Sequence, residues 1–307
     1  MKKELLYTVI AMILGGIVLT ACSEDKLNPE SIITNPKEEL TPFDLWLNAN
    51  YVQPYNIQFK YRYEDNEVHS KSYYTIPSRY EDAVILAHVV KYLCIEPYDN
   101  LVGVNFMRAN FPKLIYVTGE WEYKNNGSFV KGTAEGGKKI FLMGTTYIQR
   151  YVKDADELNQ YYLKTIHHEF THILNQTKDY TTAFQQITGK GYVSDSWSTD
   201  EFSIGYLGRG FISAYAQDED HEDFAEMVSL YITNTAEKWE EWMKEAAIST
   251  NEDGETGRQL IEKKLEIVRA YMHESWNIDL DDMRAEIHRR QNDVISGKID
   301  LLDLTVN

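Results

Sequence analysis

TIHHEFTHILNQ, residues 165–176, places three histidines and one glutamate within six positions. Placed on a helix at about 100° per residue, Leu163, Ile166, Phe170, Ile173 and Leu174 gather on one side. His168 and His172, four residues apart, project together from roughly the opposite side. The phase of His167 points toward the apolar stripe, so it is expected at the edge of the core. Glu169 falls on the flank, where it cannot easily reach an ion held by the two imidazoles but can reach a water beside it. His168-Glu169-Phe170-Thr171-His172 is therefore an H-E-x-x-H pattern: two neutral imidazoles for zinc, Zn2+, and a carboxylate left free as a base.

Such a site needs a third protein ligand. The metzincin continuation requires Gly at 175 and His at 178; the chain has Asn175 and Lys178, which excludes that subclass. After a long glycine-containing segment, AYAQDEDHEDFAEMVSLYI offers Glu222 and Glu226, four residues apart, with Phe224, Met227, Val228 and Tyr231 along much of the rest of the helix. Packing that apolar side against the first helix would aim Glu222 at the two histidines. Glu226 and His221 compete for the same place, and an acidic first turn also has a plain explanation in the helix dipole.

The 307 residues are 43% hydrophobic and 26% charged, enough for one large packed domain or two modest ones. The formal charge is -17, and no run of Lys or Arg could neutralise adjacent phosphates, so no nucleic acid partner is expected. Lys2 and Lys3 precede an apolar run over 5–19, too short for a membrane span and right for a secretory leader. The run ends in Leu19-Thr20-Ala21-Cys22, which resembles the lipobox of bacterial lipoproteins and implies cleavage before Cys22 and lipidation of its sulfur. Cys94, the other cysteine, lies in the apolar stretch VVKYLCIEPY and reads as a small core residue, so no disulfide is expected in the mature domain.

The chain therefore divides into a leader (1–21), a lipidated Cys22 with a polar, acidic tether (22–41), and a folded domain (42–307). Within the domain, YNIQFKYRYED alternates as a strand, and a helix is predicted from near Ser78, burying Val84, Leu86, Val89, Val90 and Leu93. KLIYVTG and KKIFLMG read as further strands. From Asp154 onward helices predominate, restarting near His221, Lys238, Arg258 and Leu280, and the loop over 188–210 is long enough to be functional. The expected class is α+β: a mixed sheet with the active-site helix, then a mainly helical C-terminal part.

These residues resemble the gluzincin-type zinc metallopeptidases related to anthrax lethal factor and to the Pro-Pro endopeptidases. The resemblance rests on His168-Glu169-Phe170-Thr171-His172, Glu222-Asp223-Phe224-Ala225-Glu226, and Tyr215 seven residues before Glu222, and it covers the catalytic half, from about Tyr161. Over most of the mature length the chain also resembles zinc-binding metallopeptidase lipoproteins of Gram-negative gut bacteria, through the lipobox, Pro54-Tyr55-Asn56-Ile57 and Tyr215-Ala216. The resemblance implies a zincin-like fold with zinc held by His168, His172 and Glu222. It also implies Glu169 as general base and acid, Tyr215 as donor to the developing oxyanion, and Glu226 as the carboxylate that orients a ligating histidine.

A peptide or protein substrate would then lie along an edge strand, for which KKIFLMG is the candidate, with Trp197 and Tyr206 of the long loop forming a wall. The implied activity is membrane-anchored hydrolysis of peptide bonds by a zinc-bound water. The alternative is a surface lipoprotein module that captures glycan or peptide, its metal structural or lost. A Glu169 that is not itself a ligand favours the enzyme, because a structural zinc site has no use for such a carboxylate. Ser23 after the lipid-bearing cysteine resembles outer-membrane sorting, and Glu24-Asp25 looks like an export tag, so an outer-membrane, cell-exposed location is expected. The sequence carries no signal for an oligomeric state.

Overall fold

The computed structural model describes residues 39–64, 66–67, 75–123, 129–130, 132–135 and 139–306. The leader, Cys22 and the tether as far as residue 38 lie outside the described residues. The compact unit runs over Thr41–Asn307.

Thr41 opens this unit as the N-cap of α1 (Pro42–Leu47). Its hydroxyl accepts from the Asp44 amide, and the Asp44 carboxylate reaches back to the Thr41 amide, a reciprocal cap ahead of a proline at the first helical position. Then come β1 (Gln58–Lys60), α2 (Tyr80–Val90), α3 (Glu96–Val102), α4 (Val104–Asn110) and β2 (Leu114–Val117). Two short strands, β3 (Glu122–Tyr123) and β4 (Phe129–Val130), pair with each other, and β5 (Gly132–Glu135) and β6 (Lys139–Leu142) follow. The second half carries α5 (Lys164–Thr177), α6 (Asp220–Thr233), α7 (Ala236–Ala246), α8 (Gly257–Trp276) and α9 (Leu280–Ile295), joined by shorter turns. The class is α+β, mostly helical around a small sheet.

That sheet has the order β1-β2-β6-β5. β1, β2 and β6 run parallel, and β5 is antiparallel to β6 in a register that places Thr133 opposite Phe141. Ile115, Tyr116 and Val117 of β2 and Ile140, Phe141 and Leu142 of β6 are all buried, as expected of parallel strands covered on both faces. The edges are therefore β1 and β5, and the one beside the helix Lys164–Thr177 is β5, not the KKIFLMG strand: β6 has neighbours on both sides. The alternation in YNIQFKYRYED also overstates its strand, since only Gln58–Lys60 pair. Ile57, Phe59 and Tyr61 are nonetheless all buried.

The helix predicted from near Ser78 begins at Tyr80, and Val84, Leu86, Val89, Val90 and Leu93 are buried as expected. Cys94 is wholly buried and burial pushes its thiol pKa up, so it behaves as a core residue.

Candidate metal centre

The helix α5, which carries the H-E-x-x-H residues, is fixed from both ends. Asp154 caps a helical run that passes through a π-turn over 159–163 into α5 without a break. At the far end the Tyr271 hydroxyl donates to the Lys178 carbonyl at 2.7 Å, and the Lys178 ammonium sits 4.3 Å from the centre of the Trp276 ring. The apolar face of α5 is buried: Ile166 and Phe170 are 1% exposed. Phe170 meets Tyr98, Phe106 and Phe111 edge-on, with ring centroids 5.2, 5.9 and 5.1 Å away. His167 lies on this side, buried, with Nδ1 3.0 Å from the Tyr98 hydroxyl. Loss of water pushes its pKa down to about 4, so it is neutral.

On the opposite face His168 and His172 meet Glu222, brought up by the first turn of α6, which packs along α5. His168 Nε2 lies 2.8 Å from Glu222 Oε2, His172 Nε2 lies 3.3 Å from the same oxygen, and the two Nε2 atoms are 3.1 Å apart. Among the described residues this is the one group of three such side chains able to hold an ion. Donor atoms around a tetrahedral zinc at about 2.0 to 2.2 Å stand roughly 3.3 Å from one another, so the triangle is of the right size.

The chemistry of the donors agrees with a cation. His168 Nδ1 is 2.9 Å from Glu226 Oε1 on its other side. A neutral His168 donating its Nδ1 proton there turns the lone pair of Nε2 toward a carboxylate oxygen. Two acceptors at that distance need a cation, metal or proton, between them. Without a metal the proton takes the place: burial opposes protonation of His168, but hydrogen bonds to Glu222 and Glu226 outweigh it and push its pKa up to about 9. Burial likewise works against ionisation of Glu222, yet the two histidines hold its carboxyl well below the usual range.

Glu226 is fully buried. It is ringed by donors that sequence reasoning missed: Lys164 Nζ at 2.8 Å and Ser213 Oγ at 2.6 Å. Burial would raise its pKa, but Lys164 and His168 bring it down to about 2. Lys164 stands one helical turn before His168, a spacing that could have flagged it; nothing in the sequence marks Ser213.

Glu169 is half-buried and lines the same cleft, of 1010 Å³, without belonging to the donor triangle. Tyr215 also lines it, its ring 5.9 Å from that of His168 and edge-on to Trp197 at 5.1 Å. Burial and the neighbouring Glu222 push the Tyr215 phenol pKa up, so it holds its proton at neutral pH. The segment before it is anchored by Arg209, which donates to Gln217 and to the Phe202 and Ile204 carbonyls, and by the buried Gln217 itself, which donates to Phe202. Of the two wall candidates in the long loop, Trp197 faces the cleft, whereas Tyr206 packs against the core. His221 turns from the triangle to the Tyr180 hydroxyl, 3.0 Å from its Nδ1.

Residues 36–281 match the family described as "Putative zinc-binding metallo-peptidase". A crystal structure titled as a "putative zinc-binding metallo-peptidase" from Bacteroides caccae is 35% identical. The similarity covers 90% of this chain and 100% of that one, with a TM-score of 0.74. No match is found among curated proteins.

Proposed function

Because the chain belongs to that family of zinc-binding metallo-peptidases, we propose that it is a membrane-anchored peptidase. Its zinc is held by His168, His172 and Glu222, and its general base is Glu169. The observation that carries this reading is the convergence of two imidazole nitrogens and one carboxylate oxygen within 2.8 to 3.3 Å, with a separate carboxylate beside them in an open cleft.

Zinc, when bound, supplies Lewis acidity and lowers the pKa of water to about 7. Glu226 keeps the proton of His168 on Nδ1 and so holds Nε2 available, while Lys164 and Ser213 hold Glu226. Glu169 takes the proton of the attacking water and delivers it to the leaving amine. The protonated Tyr215 hydroxyl donates to the oxyanion as the carbonyl becomes tetrahedral. The antiparallel strand β5, beside α5 and at the edge of the sheet among the described residues, offers the backbone groups of its outer side to an extended peptide.

Lipidation of Cys22 would attach the enzyme to the outer membrane, with the acidic tether spacing it from the lipid. Among the described residues no helix is long and apolar enough to cross a membrane. External protease added to intact cells should remove the domain; a chain degraded only after lysis would contradict exposure at the cell surface.

The activity test pairs the zinc-loaded wild type with Glu169→Gln on a diverse peptide library. The variant should keep its zinc and lose roughly 10² to 10⁴-fold in turnover. Equal turnover by both proteins would remove Glu169 from the mechanism, and none by either would favour a binding module.

A further inference from the structure

We propose that the end of the cleft beyond His172 is a subsite for a cationic side chain, lysine or arginine, of the peptide substrate. The proposal rests on the peptidase reading and adds a substrate class to it.

The first observation is an imbalance of charge. Among the described residues six carboxylates line the cleft, Glu169, Asp179, Glu219, Asp220, Glu222 and Glu226, against one lysine, Lys164, and no arginine. Lys164 is taken by Glu226 at 2.8 Å. Glu222 belongs to the donor triangle, and Glu169 stands beside it. Asp179, Glu219 and Asp220 are left where the C-terminal end of α5 meets the N-terminal end of α6; among the described residues no lysine or arginine lines the cleft beside them, and the one imidazole there, His221, bonds to the Tyr180 hydroxyl.

Asp220 is held in place by neutral donors, the Tyr180 hydroxyl at 2.7 Å and the Gln185 amide at 3.3 Å, so its charge is oriented and not cancelled. The helix dipole explains Glu219 and Asp220, which sit at the N-terminus of α6. It does not explain Asp179: that residue follows the C-terminus of α5, where an anion is disfavoured. A carboxylate placed against the dipole at the rim of a cleft needs another reason, and a cationic ligand supplies one.

The second observation is independent of charge. Asn175 lies one turn beyond His172 on the same face of α5, lines the cleft and is only 6% exposed. Among the described residues neither its amide oxygen nor its amide nitrogen has a hydrogen-bond partner. A buried primary amide with nothing to bond is costly, and on an active-site helix an apolar residue would serve packing better. Its NH2 group and its carbonyl oxygen, able to donate and to accept, suit the polar atoms of an incoming peptide, next to the carboxylates that would take the peptide's charge.

The test uses the zinc-loaded full chain and pairs of fluorescent peptides that differ only by Lys or Gln at each position around the scissile bond. At one position Lys should raise kcat/KM by about tenfold, an advantage that shrinks as salt screens the exposed carboxylates. The double variant Asp179→Asn, Glu219→Gln should bring the Lys-to-Gln ratio close to one. A wild-type ratio near one at every position, or a ratio the double variant leaves intact, would overturn the subsite. So would titration of a second divalent ion into the three carboxylates.

Binding of the same peptides to Glu169→Gln, read by anisotropy, separates the two claims. If no peptide is cut by the wild type, the peptidase reading fails, while the Lys-to-Gln ratio in binding still decides the subsite; absence of any binding overturns it. Asn175→Leu should raise the thermal midpoint and weaken peptide binding. A lower midpoint with unchanged affinity would remove Asn175 from the subsite.

Discussion

At the scale of single residues, His168 meets a carboxylate at each of its two nitrogens: Nδ1 faces Glu226 and Nε2 faces Glu222. In the metal-free protein both carboxylates favour the imidazolium, and its pKa is pushed up to about 9. A histidine whose pKa is raised above its unfolded value of about 6.5 contributes stability that is complete below that pH and lost as pH rises through the folded pKa. Chelated protein should therefore lose stability between about pH 6.5 and 9 in urea titrations, and zinc-loaded protein should not, because coordination keeps His168 deprotonated. A flat profile for the chelated protein would show that His168 does not carry the charge. Glu226→Gln replaces the anion that fixes the tautomer and should weaken zinc binding by about 10 to 100-fold in competition with a chromophoric chelator, while Ser229→Ala, farther along α6, should leave it unchanged. Equal affinity in Glu226→Gln would contradict the positioning role.

At the scale of elements, the site depends on the packing of α5. Phe170, between the two histidines but on the opposite face, is 1% exposed and held by three aromatic rings. Phe170→Ala should destabilise the chelated protein by about 3 to 5 kcal/mol in urea unfolding, and a loss under about 1 kcal/mol would mean that this face is not where α5 is anchored. The periodicity of 163–174 made this helix and both of its faces legible in the sequence, because 3.6-residue spacing separates apolar from polar positions without help from the rest of the chain. Strand pairing lacks such a local signature. Gly132-Thr133-Ala134-Glu135 contains no large apolar residue, yet it forms the edge beside α5; KKIFLMG shows the stronger pattern because it is buried between two neighbours.

At the scale of the whole molecule, one charged pair ties the second half together. Lys264 of α8 is fully buried, donates to Asp223 of α6 and at 2.8 Å to the Gly210 carbonyl at the end of the long loop, and lies 4.1 Å from the centre of the Phe211 ring. Burial pushes the Asp223 carboxyl up to about 6, against the pull of Lys264. Lys264→Ala should cost about 3 to 5 kcal/mol in urea unfolding, since it strands a buried carboxylate one residue from Glu222; a cost below about 1 kcal/mol would show that the pair is dispensable. The helical spacing of Ile261, Leu265 and Val268 is visible in the sequence, but the partner of Lys264, 41 positions away, is fixed only by the tertiary fold.

Likewise His168, His172, Glu169 and Glu222 stood out by spacing, while Ser213, Asn175 and Asp179 acquire meaning only where α5, α6 and the loop meet. All of these arguments turn on the donor triangle. X-ray absorption on the zinc-loaded full chain is its most direct test. The expected spectrum is one zinc with two imidazole nitrogens and one carboxylate oxygen at about 2.0 to 2.2 Å, solvent completing the shell, and Glu222→Ala should lower the zinc content. A chain that takes up no zinc, or a coordination shell without imidazoles, would contradict the account.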